Sequence, residues 1–476
     1  MKDSPLHRGE LSFWEAIALS IAIMAPTAAM ALNGSLAAQI TGASVPLAFL
    51  AAAIVVGLVS FSFIQFTRHF AHSGSVYAFN GIALGPRVGF FSGWALLGTY
   101  VAFTAASTAE VGNFAQAFFA SISANIDWFP LALIAGVLVW FLAYSDIALS
   151  TRLALVLEGI SILLISILAV IILAKVGGQG HLSATPFTFA GNPLNAIGLA
   201  AVFGFLSFAG FEGAATLGEE TRNPRRNIPL AILAAVVFTG ILYVIITYAQ
   251  TVGFGLSPAG LKAFGASTSP LGDLGHRYVG RVMEVAIDAG ATISAFASAL
   301  GAANAASRVL FSMGRDGFID DRLGETSPRT GSPWMSLAIV MVVALAIDIV
   351  WGRFPSTNGA ALFGYLGTIG VFLLLIAYGL TNIGAMRFFM SRHLWTWQGI
   401  IPILALAALA YTLYSNIYPM PAAPYNAFPY VALVWLLVGL IIVFVSPALV
   451  RRVGEHLRAS EGLSVEEKTG TVTAGE

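Results

Sequence analysis

Cysteine is absent from all 476 residues. Thiol nucleophiles, disulfides and cysteine-ligated metals are therefore excluded. Charge is scarce as well: Asp, Glu, Lys and Arg make up 10% of the chain, and the two signs cancel. A soluble globular protein carries about 25% charged residues, so this composition excludes one. The seven histidines are dispersed at segment ends and have no zinc-ligand spacing. No nucleophile triad and no phosphate loop occur, so neither an enzyme nor a bound cofactor or metal is expected. The 23 Lys and Arg residues gather on no basic face, which argues against a nucleic-acid partner.

Long apolar runs fill the chain instead. Hydrophobic residues make up 58% of it, and mean hydropathy is +0.84. A membrane span needs about 20 mostly apolar residues. Twelve segments qualify, at 13–37, 45–67, 88–120, 128–146, 151–175, 194–217, 228–253, 282–312, 334–352, 360–386, 395–418 and 428–449. The expected fold is therefore an all-α polytopic membrane protein with the lipid bilayer as its solvent. The first segment is too long for a signal peptide and reads as a retained span. With a cytoplasmic N-terminus (1–12), all but five of the Lys and Arg residues fall on the inner side. The five are Lys175, Lys262, Arg277, Arg281 and Arg353. This bias predicts both termini in the cytoplasm of a plasma-membrane protein. Residues 451–476 read as a polar, disordered tail.

Two spans are interrupted. Span 1 carries Pro26 in its middle. Proline removes a backbone donor and disfavours helix at the preceding residue, yet suits the first position of a new helix. Ile23, Met24 and Ala25 then end one half-helix, and Pro26, Thr27 and Ala28 begin the next. The second half would present free N–H groups, a seat for a carboxylate, with the Thr27 hydroxyl as a further donor. A simple packed kink is the other reading of Pro26. Span 6 breaks near 207–213, where Gly210, Glu212 and Gly213 meet mid-bilayer depth. Freed carbonyls near Phe205, Leu206, Phe208 and Ala209 would suit an ammonium group or a cation, and nearby aromatic rings a side-chain pocket. Lipid cannot satisfy freed backbone groups, so such breaks line a cavity or lie buried in protein. Interrupted helices at matching positions of two halves point to a five-plus-five inverted repeat, spanning 13–175 and 194–386. Spans 11 and 12 (395–449) lie outside it.

Carboxylates inside spans are the remaining candidates. Glu212 is the one carboxylate deep in the span-6 break, placed to gain and lose a proton or to bond backbone permanently. Glu158 lies about 12 Å into span 5 at about 1.5 Å per residue. It could relay protons or bind a cation against spans 1 and 8, with Ser294 and Ser298 one turn apart on span 8 as hydroxyl donors. Serines that bond their own helix are the plainer reading. Glu110, Glu284, Asp288 and Asp348 read as outer-end or vestibule groups. Glu219 and Glu220 with Arg222, Arg225 and Arg226 read as a cytoplasmic ion-pair cluster.

The passage FAGFEGAATLGEETRNPRRNIPLAI, with SGSVYAFNGIALGPRVGFFSGW, NAASRVLFSMGRDGFID, SPRTGSPW and FGYLGTIGVFLLLIAYGLTNIGAMRFF, resembles the amino acid–polyamine–organocation (APC) permeases over about residues 12–390. The resemblance implies the LeuT-type fold with two extra C-terminal helices. It implies a substrate carboxylate gripped by Ala25, Pro26, Thr27 and Ala28, with Ile23 beside them. It implies an amine gripped at Phe205, Leu206, Phe208 and Gly210. Glu212 matches a position often acidic in that family. Two departures stand out: the span-1 break is not glycine-rich, and Glu158 sits near where some relatives carry a lysine. The function implied is a secondary transporter of an amino acid or amine, driven by a proton or sodium gradient. An amino acid/amine exchanger and a non-transporting sensor are the alternatives.

Overall fold

The computed structural model describes residues 13–69, 75–145, 148–217, 221–315, 318, 320–354, 357–391 and 397–460. Among these residues every regular element is helical. Span 1 is two helices, α1 (Phe13–Met24) and α2 (Pro26–Thr41). Then follow α3 (Val45–His69), a connecting α4 (Ser75–Leu84), α5 (Pro86–Ser121), α6 (Trp128–Tyr144) and α7 (Ala148–Gly178). Span 6 is α8 (Leu194–Phe208) and a 3-10 segment, Phe211–Leu217. After it come α9 (Pro224–Phe254), two short connectors, α10 (Pro258–Ala266) and α11 (Pro270–Tyr278), and α12 (Arg281–Arg315). The chain closes with α13 (Trp334–Gly352), α14 (Gly359–Ser391), α15 (Ile400–Ser415), α16 (Phe428–Val445) and α17 (Pro447–Ser460). Each of the twelve apolar segments corresponds to helix.

Helix pairing repeats with an offset of five spans. Here α2 packs on α8, α3 on α9, α5 on α12 and α6 on α13. Cross-pairs are reciprocated: α5 meets α13 as α12 meets α6, and α5 meets α14 as α12 meets α7. Long α5 and α12 cross at the centre and run antiparallel, since Gly93 lies by Met313 and Ser107 by Ser298. At about 1.5 Å per residue each is over 50 Å long, well beyond a bilayer core of about 30 Å.

The final helices are attached by close approach. Trp94 of α5 and Trp435 of α16 stack at 4.6 Å. Each indole N–H donates to the other residue's carbonyl, at 2.8 and 2.9 Å. A Cβ on Gly439 would fall 2.2 Å from the Trp94 ring, and one on Gly98 would fall 2.4 Å from the Trp435 nitrogen. Only glycine lets these two ring faces close.

One expectation is corrected here. The tail from 451 is not wholly irregular, because α17 extends through Ser460. Leu449, Val450 and Val453 are buried, while Arg451 and Arg452 face outward. That one-sided pattern makes an amphipathic helix, which packs on α4 and the start of α5. Residues 461–476 lie outside the described residues.

Candidate functional site

The span-1 break is a reversal at one residue. Ala25 adopts φ 44°, ψ 61°, the left-handed region that costs a residue with a Cβ about 1–2 kcal/mol. Helix α2 starts at once behind it, with Ala29 N–H donating to Ala25 O at 3.0 Å. Its first residue, Pro26, has no N–H to satisfy. The next two amides are exposed by the break, and both are occupied. Thr27 N–H donates to Glu158 Oε1 of α7 at 3.0 Å. Ala28 N–H donates to Ser294 Oγ of α12 at 3.1 Å. A carboxylate at a helix N-terminus is favoured by the free donors and by the helix dipole. The seat expected for a substrate carboxylate thus holds the chain's own Glu158. The second Glu158 oxygen, Oε2, and the Thr27 hydroxyl have no hydrogen-bond partner, although both residues are buried, at 3% and 1% exposure.

The span-6 break is held by tyrosines. Helix α8 ends at Phe208, and Gly210 turns the chain with φ 100°. Two of the freed carbonyls are taken: Leu206 O accepts from Ala209 N–H at 3.3 Å, and Ser207 O from Tyr243 OH at 2.8 Å. The Ser207 hydroxyl accepts from Asn33 Nδ2 at 2.7 Å, joining α8 to α2. Ser20 of α1 donates to Phe211 O at 3.0 Å. Through Asn33 and Ser20, both halves of span 1 are tied to the span-6 break. Glu212 accepts from Tyr100 OH of α5 at 2.9 Å and from Tyr378 OH of α14 at 2.7 Å. Both its oxygens are therefore bonded, and the residue bridges three elements.

The sequence candidates divide accordingly. Ala25, Pro26, Thr27 and Ala28 are buried at the first break. Glu158 and Ser294 meet them there. Ser298 instead pairs with Ser107 of α5 at 3.1 Å. Ile23 belongs to α1, and its side chain lies outside the described residues. Phe205, Phe208 and Phe211 are at most 1% exposed. Phe208 packs edge-on against Tyr243, and Phe211 against Phe63 and Tyr378. They pack as wall rather than face open space. Leu206 is half-buried and lies against Gly367. The Glu219/Glu220 part of the ion-pair cluster lies outside the described residues.

Sequence reasoning missed several groups. Tyr100, Tyr243 and Tyr378 carry no polar signal in a hydropathy pattern, because the ring dominates. Glu110, read as an outer-end group, is corrected: it is 2% exposed, and its Oε1 has no partner. It lies three residues after Ser107, whereas Ser294 lies four before Ser298. In antiparallel helices that puts Glu110 level with Ser294 and the first break. Asp348, also read as vestibular, is fully buried on Thr108 at 2.6 Å. Asp288 is buried on Ser269. Among these outer groups only Glu284 stays partly exposed, 2.6 Å from His276.

Two broken helices, tied to each other and to buried carboxylates inside a helical bundle, define a membrane carrier. The family assignment agrees. Residues 11–444 match the family model described as amino acid permease, and the chain belongs to that family. It is 23% identical to the methylthioribose transporter of Bacillus subtilis (strain 168), over 91% of this chain and 92% of that protein. It is 24% identical to the branched-chain amino acid permease BcaP of Lactococcus lactis subsp. cremoris (strain MG1363), over 72% and 77%. It is 26% identical to the low-affinity putrescine importer PlaP of Escherichia coli (strain K12), over 71% and 74%. The protein is thus a multi-pass permease of the amino acid permease family and not an enzyme.

Proposed function

We propose that this permease is a secondary transporter of the plasma membrane, with both termini cytoplasmic, that takes up an amino acid or amine together with protons by alternating access. The observation that carries this reading is the convergence of two helix breaks on buried carboxylates, Glu158 at the first and Glu212 at the second. Intramembrane carboxylates of this kind serve proton or ion pathways. Helix ends at mid-bilayer depth are the usual substrate contacts of transporters built from repeats. Ligand held between α2 and α8 would touch both repeats, so rocking one against the other would move access from one side to the other. The relatives named above are described as carriers of amino acids, of an amine and of methylthioribose, which supports a small-molecule substrate.

Proteoliposomes test the coupling. With the purified protein, acidifying the outside relative to the lumen is expected to drive accumulation of substrate above its outside concentration. Collapsing the gradient with a protonophore is expected to stop it. Uptake indifferent to the pH gradient but dependent on sodium would replace the proton by sodium. Uptake that needs preloaded lumenal substrate would make the protein an exchanger.

A further inference from the structure

Acidic side chains outnumber basic ones in the described interior of this protein. Glu110, Glu158, Glu212, Asp288 and Asp348 are each at most 3% exposed, whereas no lysine, arginine or histidine is buried among the described residues. Three of the five carboxylates are bonded by hydroxyls: Glu212 by two tyrosines, Asp288 by Ser269 and Asp348 by Thr108. Three of the five keep an unpartnered oxygen: Oε2 of Glu158, Oε1 of Glu110 and Oδ1 of Asp348. The first two belong to one place. Glu158 binds the α2 N-terminus directly, and Ser294, on the same N-terminus, is level with Glu110 across the α5–α12 contact.

A ligand carboxylate is a poor match for this place. The two α2 amides that would receive it already bond Glu158 and Ser294. An incoming anion would meet the like charge of Glu158, with no buried basic side chain among the described residues to offset it, and like charges in a buried site repel strongly. An ammonium group fits for the opposite reason. It has three donors and no acceptor, and at this place the Glu158 Oε2 and Glu110 Oε1 atoms lack donors. Charge-assisted hydrogen bonds of this kind are about twice as strong as neutral ones.

Resting on the reading of the protein as an amino acid or amine permease, we propose that its substrate is an organic amine without a carboxylate, whose ammonium group is held by Glu158 and Glu110. Glu158 does for α2 what a zwitterion's own carboxylate would do, so the ligand needs only its cationic end.

The test uses matched pairs on the purified full-length protein in thermal shift, where a ligand of the folded form raises the melting temperature. The pairs are isobutylamine with valine, phenethylamine with phenylalanine, and putrescine with ornithine, plus sodium chloride alone. At least one amine is expected to stabilise the protein, with its carboxylated parent needing at least tenfold higher concentration for the same shift. Glu158→Gln keeps an oxygen for Thr27 N–H and removes the charge. It is expected to weaken amine binding at least tenfold while the ligand-free melting temperature changes little, and Glu110→Gln is expected to weaken binding likewise. A parent amino acid that binds as tightly as its amine would overturn the assignment and leave the transporter reading standing. Stabilisation by sodium but by no amine would overturn it in favour of an inorganic cation. Amine binding unchanged in Glu158→Gln would reduce Glu158 to a helix cap and overturn it too. No binding and no uptake of any of the six compounds would overturn both readings.

Discussion

Replacing Glu212 by alanine is expected to abolish uptake and to lower the melting temperature sharply. Both oxygens of this carboxylate are bonded, one to Tyr100 of α5 and one to Tyr378 of α14. Alanine would leave two tyrosine hydroxyls without their acceptor, Tyr378 buried and Tyr100 half-buried. An orphaned buried polar group costs about 1–3 kcal/mol, so the pair costs about 2–6 kcal/mol before any packing loss. The span-6 break would also lose its links to α5 and α14, and with them the geometry of the α8 carbonyls. Glu212→Gln separates the two effects. Its carbonyl oxygen accepts from one tyrosine and its amide N–H can donate to the hydroxyl oxygen of the other, so at most about half of the stability loss is expected. If Glu212 carries the coupled proton, the dependence of uptake on a pH gradient disappears in this variant. A Glu212→Gln protein with wild-type uptake and pH dependence would make the residue a structural bridge. Initial rates in proteoliposomes and melting curves read the two effects separately.

Replacing Glu158 by leucine is expected to be nearly as severe, by a different route. Leucine has similar volume and cannot accept from Thr27 N–H. The orphaned amide costs about 1–3 kcal/mol, and loss of a negative group at a partly buried helix N-terminus costs up to about 2 kcal/mol. Uptake is expected to fall at least 100-fold, since the start of α2 would lose both its cap and its charge. Glu158→Gln should hold the melting temperature within a few degrees and still lose most uptake. Equal uptake by the Gln variant and the wild type would exclude a role for the charge.

The fold was legible in the sequence to the extent that it depends on local chemistry. Twelve apolar runs define the spans because the bilayer demands them. Pro26 marks the first break because proline acts on its own backbone and that of its neighbour. Gly210 and Glu212 mark the second because neither suits a helix in lipid. What required the structure was the pairing of distant residues. No pattern within α5 says that Tyr100 faces Glu212, 112 positions on. The depth of Glu110 was misread because α5 is far longer than a bilayer is thick, so position along the helix is a poor gauge of depth. The occupant of the α2 amides was hidden for the same kind of reason. Glu158 and Thr27 are 131 positions apart, and only the packing of α7 and α12 against α2 brings them together.

The shared site at the two breaks is tested most directly by thiol protection, which the cysteine-free chain makes clean. Ala28→Cys places one thiol at the start of α2, and Leu206→Cys places one at the end of α8. Each variant is labelled in proteoliposomes with a membrane-permeant maleimide, with and without the amine that gives the largest thermal shift. Slower labelling of both cysteines, by severalfold and at the same amine concentration, is the expected result. Protection of neither cysteine, or of one alone, would contradict a single site built from both breaks.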